Sequence, residues 1–283
     1  MSRPLHIACL QTRPMATMAA AIDEAVPMAD AAARAGAEML FLPEYCGGLA
    51  SEGARLRPPV AREESHEVLA AFRDLAAQRR VWINLGSVAI AADGAKFINR
   101  GFMIGPDGEI FGRYDKIHLF DVNLADGAVY RESDTVVPGE VAVVHDTALA
   151  RVGHTICYDL RFPGLYRDLA QEGSEILACP AAFTKMTGEA HWHILNRARA
   201  VENTCFMVAA CAVGPIPGGG ESYGHSLVVD PWGNVLSDGG DLPGVLHAQI
   251  DLDLVDETGA RIPSLGHDRT YRVEHNRPKR DVA

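Results

Sequence analysis

Three side chains that lie far apart in the chain, the thiol of Cys157, the ammonium of Lys116 and the carboxylate of Glu44, together hold the parts for acyl transfer through a thioester. That chemistry needs a nucleophile, a cation for the developing oxyanion and a carrier for the proton. Cys157 sits in the run Arg151-Val-Gly-His-Thr-Ile-Cys-Tyr-Asp-Leu-Arg-Phe-Pro163, an apolar strand that breaks into a polar turn at the thiol. Such a junction lifts a nucleophile out of the core and aims the following backbone amides at an oxyanion. Lys116 stands between Tyr114-Asp115 and the apolar Ile117-His118-Leu119-Phe120, and an ammonium beside a thiol favours the thiolate. Glu44 closes the apolar run Phe41-Leu42-Pro43, where a buried carboxylate near a lysine is either a structural ion pair or a tuned general base. Taken singly, each has a structural explanation: buried filler for the cysteine, a snorkelling surface position for the lysine, a buried ion pair for the glutamate.

The elements that must position these residues follow from hydrophobic pattern. A strand over 5–10, an Ala-rich helix over 16–35 closed by Gly36, and a buried strand over 38–42 deliver Glu44 at a strand end. A helix over 63–80 and a strand over 81–89 lead to a hairpin, 97–104 with 109–114, turned by Pro106-Asp107-Gly108. Lys116 lies just past it. The rhythm then repeats: strands over 141–145 and 148–156 deliver Cys157, followed by a helix over 165–172, a strand over 175–179 and a helix over 190–202. An apolar stretch over 204–213, a Gly-rich loop over 214–220, strands over 225–230 and 244–250, and a turn at Pro231-Trp232-Gly233-Asn234 complete the pattern. Two halves of similar strand-helix rhythm predict an α/β four-layer sandwich, two central sheets with helices outside. No linker or repeat interrupts residues 1–283, so a single domain is expected.

Composition removes several alternatives. With 48% hydrophobic and 22% charged residues the chain has the balance of a globular protein with a large core. A net charge of -11 argues against nucleic-acid binding, and the one basic cluster, Arg277-Pro278-Lys279-Arg280, reads as a solvated tail. The acidic balance also leaves recognition of an anionic substrate to a few local cations. The N-terminus lacks a signal-peptide pattern and no apolar run is long enough to span a bilayer, so a cytoplasmic protein without membrane contact is expected. Six cysteines without CxxC spacing indicate neither a zinc ribbon nor a disulfide framework. His191 and His193 lie two apart on a predicted helix and so face apart, and neither a metal nor a cofactor is expected. Trp192 between them suits packing or an interface.

The motifs Leu42-Pro43-Glu44, Tyr114-Asp115-Lys116-Ile117-His118-Leu119-Phe120 and Gly153-His154-Thr155-Ile156-Cys157-Tyr158-Asp159-Leu160-Arg161-Phe162-Pro163, in that order, resemble those of the nitrilase superfamily of carbon-nitrogen hydrolases. The resemblance runs from Ile7 to about Ile262 and implies the α-β-β-α sandwich of the nitrilase type. Arg131-Glu132-Ser133-Asp134-Thr135, Thr187-Gly188-Glu189-Ala190-His191-Trp192 and Ser222-Tyr223-Gly224-His225-Ser226 are similar to the Nit branch, the omega-amidases and deaminated-glutathione amidases. Gly164 departs from it, where many relatives place glutamate. The resemblance implies Cys157 as nucleophile, Glu44 as general base, and Lys116 with the backbone N–H of Tyr158 as oxyanion donors. It implies that Glu132 positions Lys116 or substrate, a turn carboxylate being its other reading, and that Thr187 adds a hydroxyl contact. Arg161, four residues past the thiol, suits bidentate binding of a substrate carboxylate, or else a structural partnership with Asp159 or a helix end. The expected reaction is hydrolysis of a small carboxylate-bearing amide to acid and ammonia. N-carbamoyl hydrolysis or nitrile hydrolysis uses the same triad. A binding protein on a dead fold, or a papain-like pairing of the thiol with His118 or His154, are the further alternatives. The superfamily also implies a homodimer or higher homo-oligomer, with residues 254–283 an extension that contacts a partner subunit.

Overall fold

The computed structural model describes residues 2–53, 55–124, 127 and 129–276; the basic cluster at 277–280 lies outside them. The first half contains β1 (Pro4–Gln11), α1 (Met18–Arg34), β2 (Met39–Phe41), β3 (Val60–Ala61), α2 (Glu67–Arg79), β4 (Trp82–Ala91), β5 (Phe97–Ile104) and β6 (Ile110–Asp115). The second contains β7 (Val143–Asp146), β8 (Arg151–His154), α3 (Pro163–Gln171), β9 (Ile176–Ala178), α4 (Lys185–Asn203), β10 (Phe206–Ala209), β11 (Leu227–Val229) and β12 (Val235–Asp238). β13 (Gly244–Asp251) then returns to the first half and α5 (Asp253–Arg261) follows.

Two large sheets carry the fold, with strand order β13-β1-β2-β4-β5-β6, β3 lying beside β4, and β7-β8-β9-β10-β11-β12. In each, the second, third and fourth strands run parallel and the flanking strands antiparallel. Parallel strands buried on both faces need continuous apolar runs, and β2 and β9, read Met-Leu-Phe and Ile-Leu-Ala, are buried throughout.

Packing orders the layers. Ile7, Cys9, Met39 and Phe41 of the first sheet share one cluster with Val152, Ile176, Phe206 and Val208 of the second, which places the sheets face to face. The outer face of the first sheet packs Leu40 and Leu42 on the Ala25, Ala29 and Ala32 stripe of α1 and on Phe72 of α2. The outer face of the second packs Leu177 and Met207 on Tyr166 of α3 and Trp192 of α4. Alanine at the α1 contact brings the helix close to the sheet, and Thr17 starts it, its hydroxyl accepting from Ala20 N at 3.2 Å.

Two stretches differ from expectation in their bounds. α4 begins at Lys185, five residues earlier than its sequence suggests. Gly188 disguises the first turn as a loop, yet the glycine is needed there, because a β-carbon would overlap the Tyr223 ring. The stretch expected over 204–213 divides into β10 and a short ribbon, Val213–Pro215 with Glu221–Tyr223. At the C-terminal end, α5 sets Leu254 and Val255 against the chain's own inter-sheet cluster.

Candidate active site

The ends of β2, β6 and β8 converge. Lys116 Nζ donates to Glu44 Oε1 at 2.9 Å and to both oxygens of Glu132, at 3.0 and 2.9 Å, and all three side chains are buried. Glu44 is held from both halves of the fold: Asn99 Nδ2 of β5 donates to Oε1 and the backbone N–H of Ala182, past β9, to Oε2, each at 2.9 Å. Glu132 lies in a short 3₁₀ turn over Glu132–Asp134. Its Oε2 accepts the Phe120 N–H at 2.6 Å and its Oε1 the Tyr45 hydroxyl at 3.3 Å. Buried carboxylates are tolerable only when paired in this way.

Cys157 opens the 3₁₀ turn Cys157–Arg161 with φ at +50°, a left-handed backbone that L residues rarely adopt, pinned by its N–H to Pro180 O at 2.9 Å. Asp159 ties this turn to the Lys116 segment. Its carboxylate accepts Tyr114 Oη at 2.7 Å, the His118 N–H at 3.0 Å and the Ile156 N–H at 2.8 Å, with His118 Nδ1 at 2.7 Å. The turn that carries Cys157 and the segment that carries Lys116 are therefore registered through one buried carboxylate.

Electrostatics give the groups different roles. Burial alone would lower the affinity of Lys116 for its proton, but Glu132 and Glu44 outweigh it and hold the ammonium charged well above the ordinary range. Burial first, and Glu44 second, push the Cys157 thiol well above its usual 9.0, while Lys116 pulls it down. The sulfur accordingly rests as a thiol. A raised thiol does not by itself mark the nucleophile: burial lifts Cys9, Cys46, Cys179, Cys205 and Cys211 to about 12. Its neighbours and its cavity distinguish Cys157.

That cavity, open to solvent, is lined by Glu44, Lys116, Glu132, Cys157, Tyr158 and Thr187, among others. Thr187 reaches it from the first turn of α4, its hydroxyl 2.7 Å from that of Thr184. The Gly-rich loop contributes Gly219 and Gly220. Arg161 does not join the wall; its guanidinium lies over the Phe183 ring at 5.4 Å, with Nη2 3.4 Å from His191 Nδ1. Among the described residues, Lys116 is the one cation lining the cavity. At the rim, Glu221 pairs with Lys185 at 2.8 Å. His118 and His154 stand outside the wall, and burial first, then His145, lowers His154 to about 3.

Sequence reasoning did not single out Asn99, Asp159, Tyr45 or the Lys185–Glu221 pair. For Asn99 the signal was available: a neutral amide in the strand Phe97–Ile104, which must find a partner if it is buried.

A family model for carbon-nitrogen hydrolases matches residues 6–260, so the chain belongs to that family. Its relatives fall in the Nit branch of the nitrilase superfamily. A deaminated glutathione amidase of Synechocystis sp. is 38% identical over 270 residues, covering 94% of this chain and 98% of that one. The human omega-amidase NIT2 is 35% identical over 249 residues, 87% and 89% of the two chains. The crystal structure of the C. elegans NitFhit protein superposes with a TM-score of 0.86 at 32% identity, covering 95% of this chain and 66% of that longer one. Saccharomyces cerevisiae Nit3 gives 0.81 at 25% identity, over 92% and 95%.

Proposed function

We propose that the chain is an amidase that hydrolyses a small carboxylate-bearing amide, of the deaminated-glutathione or 2-oxoglutaramate type, to the acid and ammonia. The observation that carries this reading is the buried contact of Lys116 with Glu44 at 2.9 Å, on the wall of a cavity that Cys157 shares. Glu44 takes the thiol proton as sulfur attacks the amide carbon, and Lys116 with the Tyr158 N–H holds the tetrahedral oxyanion. Collapse breaks the C–N bond, Glu44 returns the proton to the departing nitrogen, and ammonia leaves a thioester on Cys157. Glu44 then deprotonates a water that attacks the thioester, and the acid leaves as the thiol re-forms. Glu132 keeps Lys116 charged and aimed.

Two cations stand near enough to serve a substrate carboxylate. Arg161 would have to swing past Phe183, whereas Lys185 would only have to exchange Glu221 for the substrate. The similarity to amidases of both types supports an amide over a nitrile or carbamoyl substrate. The cysteine-histidine alternative lacks an imidazole on the cavity wall. We further propose a cytoplasmic homo-oligomer of single-domain chains, with residues 254–283 the segment nearest a partner; among the described residues no helix is long and apolar enough to cross a membrane.

The test is product analysis with mass spectrometry of the enzyme during turnover. Ammonia without carbon dioxide and an acyl adduct on Cys157 are expected, and Cys157→Ser should lower turnover by a factor on the order of 10⁴ or more. Carbon dioxide among the products would move the assignment to carbamoyl compounds, and turnover retained by Cys157→Ser would remove the thiol from the reaction.

A further inference from the structure

On another part of the second half, three side chains from separate segments meet. His193 of α4, His225 of the turn before β11 and Asp238 at the end of β12 each bring one ligand atom within 4.8 Å of the others. The carboxylate spans the two imidazoles: His193 Nε2 is 2.9 Å from Oδ2 and His225 Nδ1 is 2.9 Å from Oδ1.

These groups are held in place before anything binds. His225 has a left-handed backbone with φ at +50°, fixed by its N–H on Gly240 O at 2.7 Å and by its carbonyl, which accepts the Trp192 indole N–H at 2.7 Å. Its ring stacks on Tyr223 with centroids 4.6 Å apart and planes at 24°. Asp238 Oδ1 also accepts the Gly240 N–H at 2.9 Å. Trp192, the residue before His193, is fully buried, so the root of His193 is anchored too.

The three heads remain about one-third exposed, at 36%, 28% and 34%. Two imidazole nitrogens and a carboxylate oxygen form a donor set for a borderline transition metal rather than for calcium or magnesium, which take oxygen ligands. Tetrahedral zinc with bonds of 2.0–2.1 Å wants its ligand atoms about 3.3 Å apart. Side chains exposed to this extent reach that spacing by small rotations, and solvent fills the remaining position.

We propose that His193, His225 and Asp238 form a binding site for one zinc-like divalent ion, which staples α4 to the end of β12. The staple acts at a distance from the thiol. α4 carries Thr187 into the cavity wall less than two turns before His193, and Tyr223, stacked on His225, packs on Gly188. Metal binding would therefore stiffen the wall that meets the substrate without touching the reacting atoms. Positions 193, 225 and 238 form no short spacing, so the sequence carries no metal motif for them.

The experiment uses the full chain freed of any affinity tag, stripped of metal and titrated with zinc by calorimetry, with Co²⁺ as a spectroscopic probe. One ion per chain is expected, with a tetrahedral Co²⁺ spectrum and a melting temperature that rises with zinc. His193→Gln, on an exposed helix face, and Asp238→Asn should each weaken binding at least tenfold while leaving the metal-free melting temperature within a few degrees. Cys157→Ser should leave stoichiometry and affinity unchanged. Binding lost in Cys157→Ser but kept in His193→Gln would overturn the proposal, as would less than a tenth of an equivalent bound by the wild-type chain. Should Asp238→Asn fail to fold, His193→Gln alone decides between these outcomes.

Discussion

In the first half of the chain the parallel strands β1, β2 and β4 carry an antiparallel strand on one side and an antiparallel pair on the other; in the second half β8, β9 and β10 are flanked in the same way. The correspondence extends to register. Cys9 lies beside Phe41 as His154 lies beside Ala178, and Phe41 beside Asn84 as Ala178 beside Val208. Counting on from those rows, Leu42-Pro43-Glu44 matches Cys179-Pro180-Ala181, and Thr12 matches Cys157. At two matched rows, Glu44 with Ala181 and Cys157 with Thr12, one half carries a proposed reactive group and the other a smaller or less reactive one. The outer hairpins diverge, since β6 runs six residues and leads to Lys116, whereas β12 runs four and ends at Asp238, and β3 joins the first sheet beside β4. The lesson is that the repeat supplies rigidity and position, while chemistry arises from breaking the repeat at one residue per row. Neither half alone holds a carboxylate, an ammonium and a thiol at its strand ends.

Changes at these rows test the comparison. The largest effect is expected for Lys116→Gln, which leaves Glu44 and Glu132 facing each other without their cation. Turnover should fall roughly 10²- to 10³-fold, and urea unfolding should show a loss of about 3–5 kcal/mol, since a broken buried pair strands its charges. Adding Glu132→Gln should recover stability but not turnover, and recovery of both would make the lysine structural. Next comes Asp159→Asn, which loosens the tie between the two halves' active segments; a displacement of about 1 Å is worth as much as 10²-fold in rate. A fall in kcat with KM little changed is the expected signature, and unaltered kcat would dissociate the tie from catalysis.

A smaller effect concerns the row of Cys9 and His154. Burial holds His154 near 3, with His145 adding to the effect, and burial holds His145 near 4, both below the ordinary 6.5. The folded chain thus binds fewer protons than the unfolded chain over that range. Stability from these neutral rings is complete above pH 6.5 and is lost as pH falls through about 4 toward 3. Unfolding followed at stepped pH should show this slope, and His154→Leu should flatten part of it; an unchanged slope would assign acid sensitivity to other groups. The smallest effect is expected at Thr12, the counterpart of the nucleophile: Thr12→Val should leave kcat/KM within about twofold, because the matched row in the first half does no chemistry.

The sequence announced the strands that end at Glu44, Lys116 and Cys157, because apolar runs that stop at polar turns are local signals. It also announced the sandwich, through the repeated rhythm. Residue chemistry alone left the three open between catalytic and structural use; the motif resemblance pointed to them together, and their contacts give that choice a physical basis. What stayed hidden was nonlocal. The link of Asp159 to Tyr114 and His118 spans more than forty residues, and nothing in Tyr-Asp-Leu announces its partners. Gly188 concealed the start of α4 because the reason for glycine lies on Tyr223, 35 positions downstream in the chain. Arg161 shows the converse limit of local reading: four residues from the thiol in sequence, its guanidinium lies over the Phe183 ring at 5.4 Å.

The left-handed seat of Cys157 has a further meaning. A side chain held at φ +50° costs on the order of 1–3 kcal/mol, and glycine would relax it. The proposed nucleophile thus sits against the preference of its own backbone, and a chain freed of that duty would gain robustness with glycine there. In this architecture thermal endurance and reactivity pull the same codon in opposite directions.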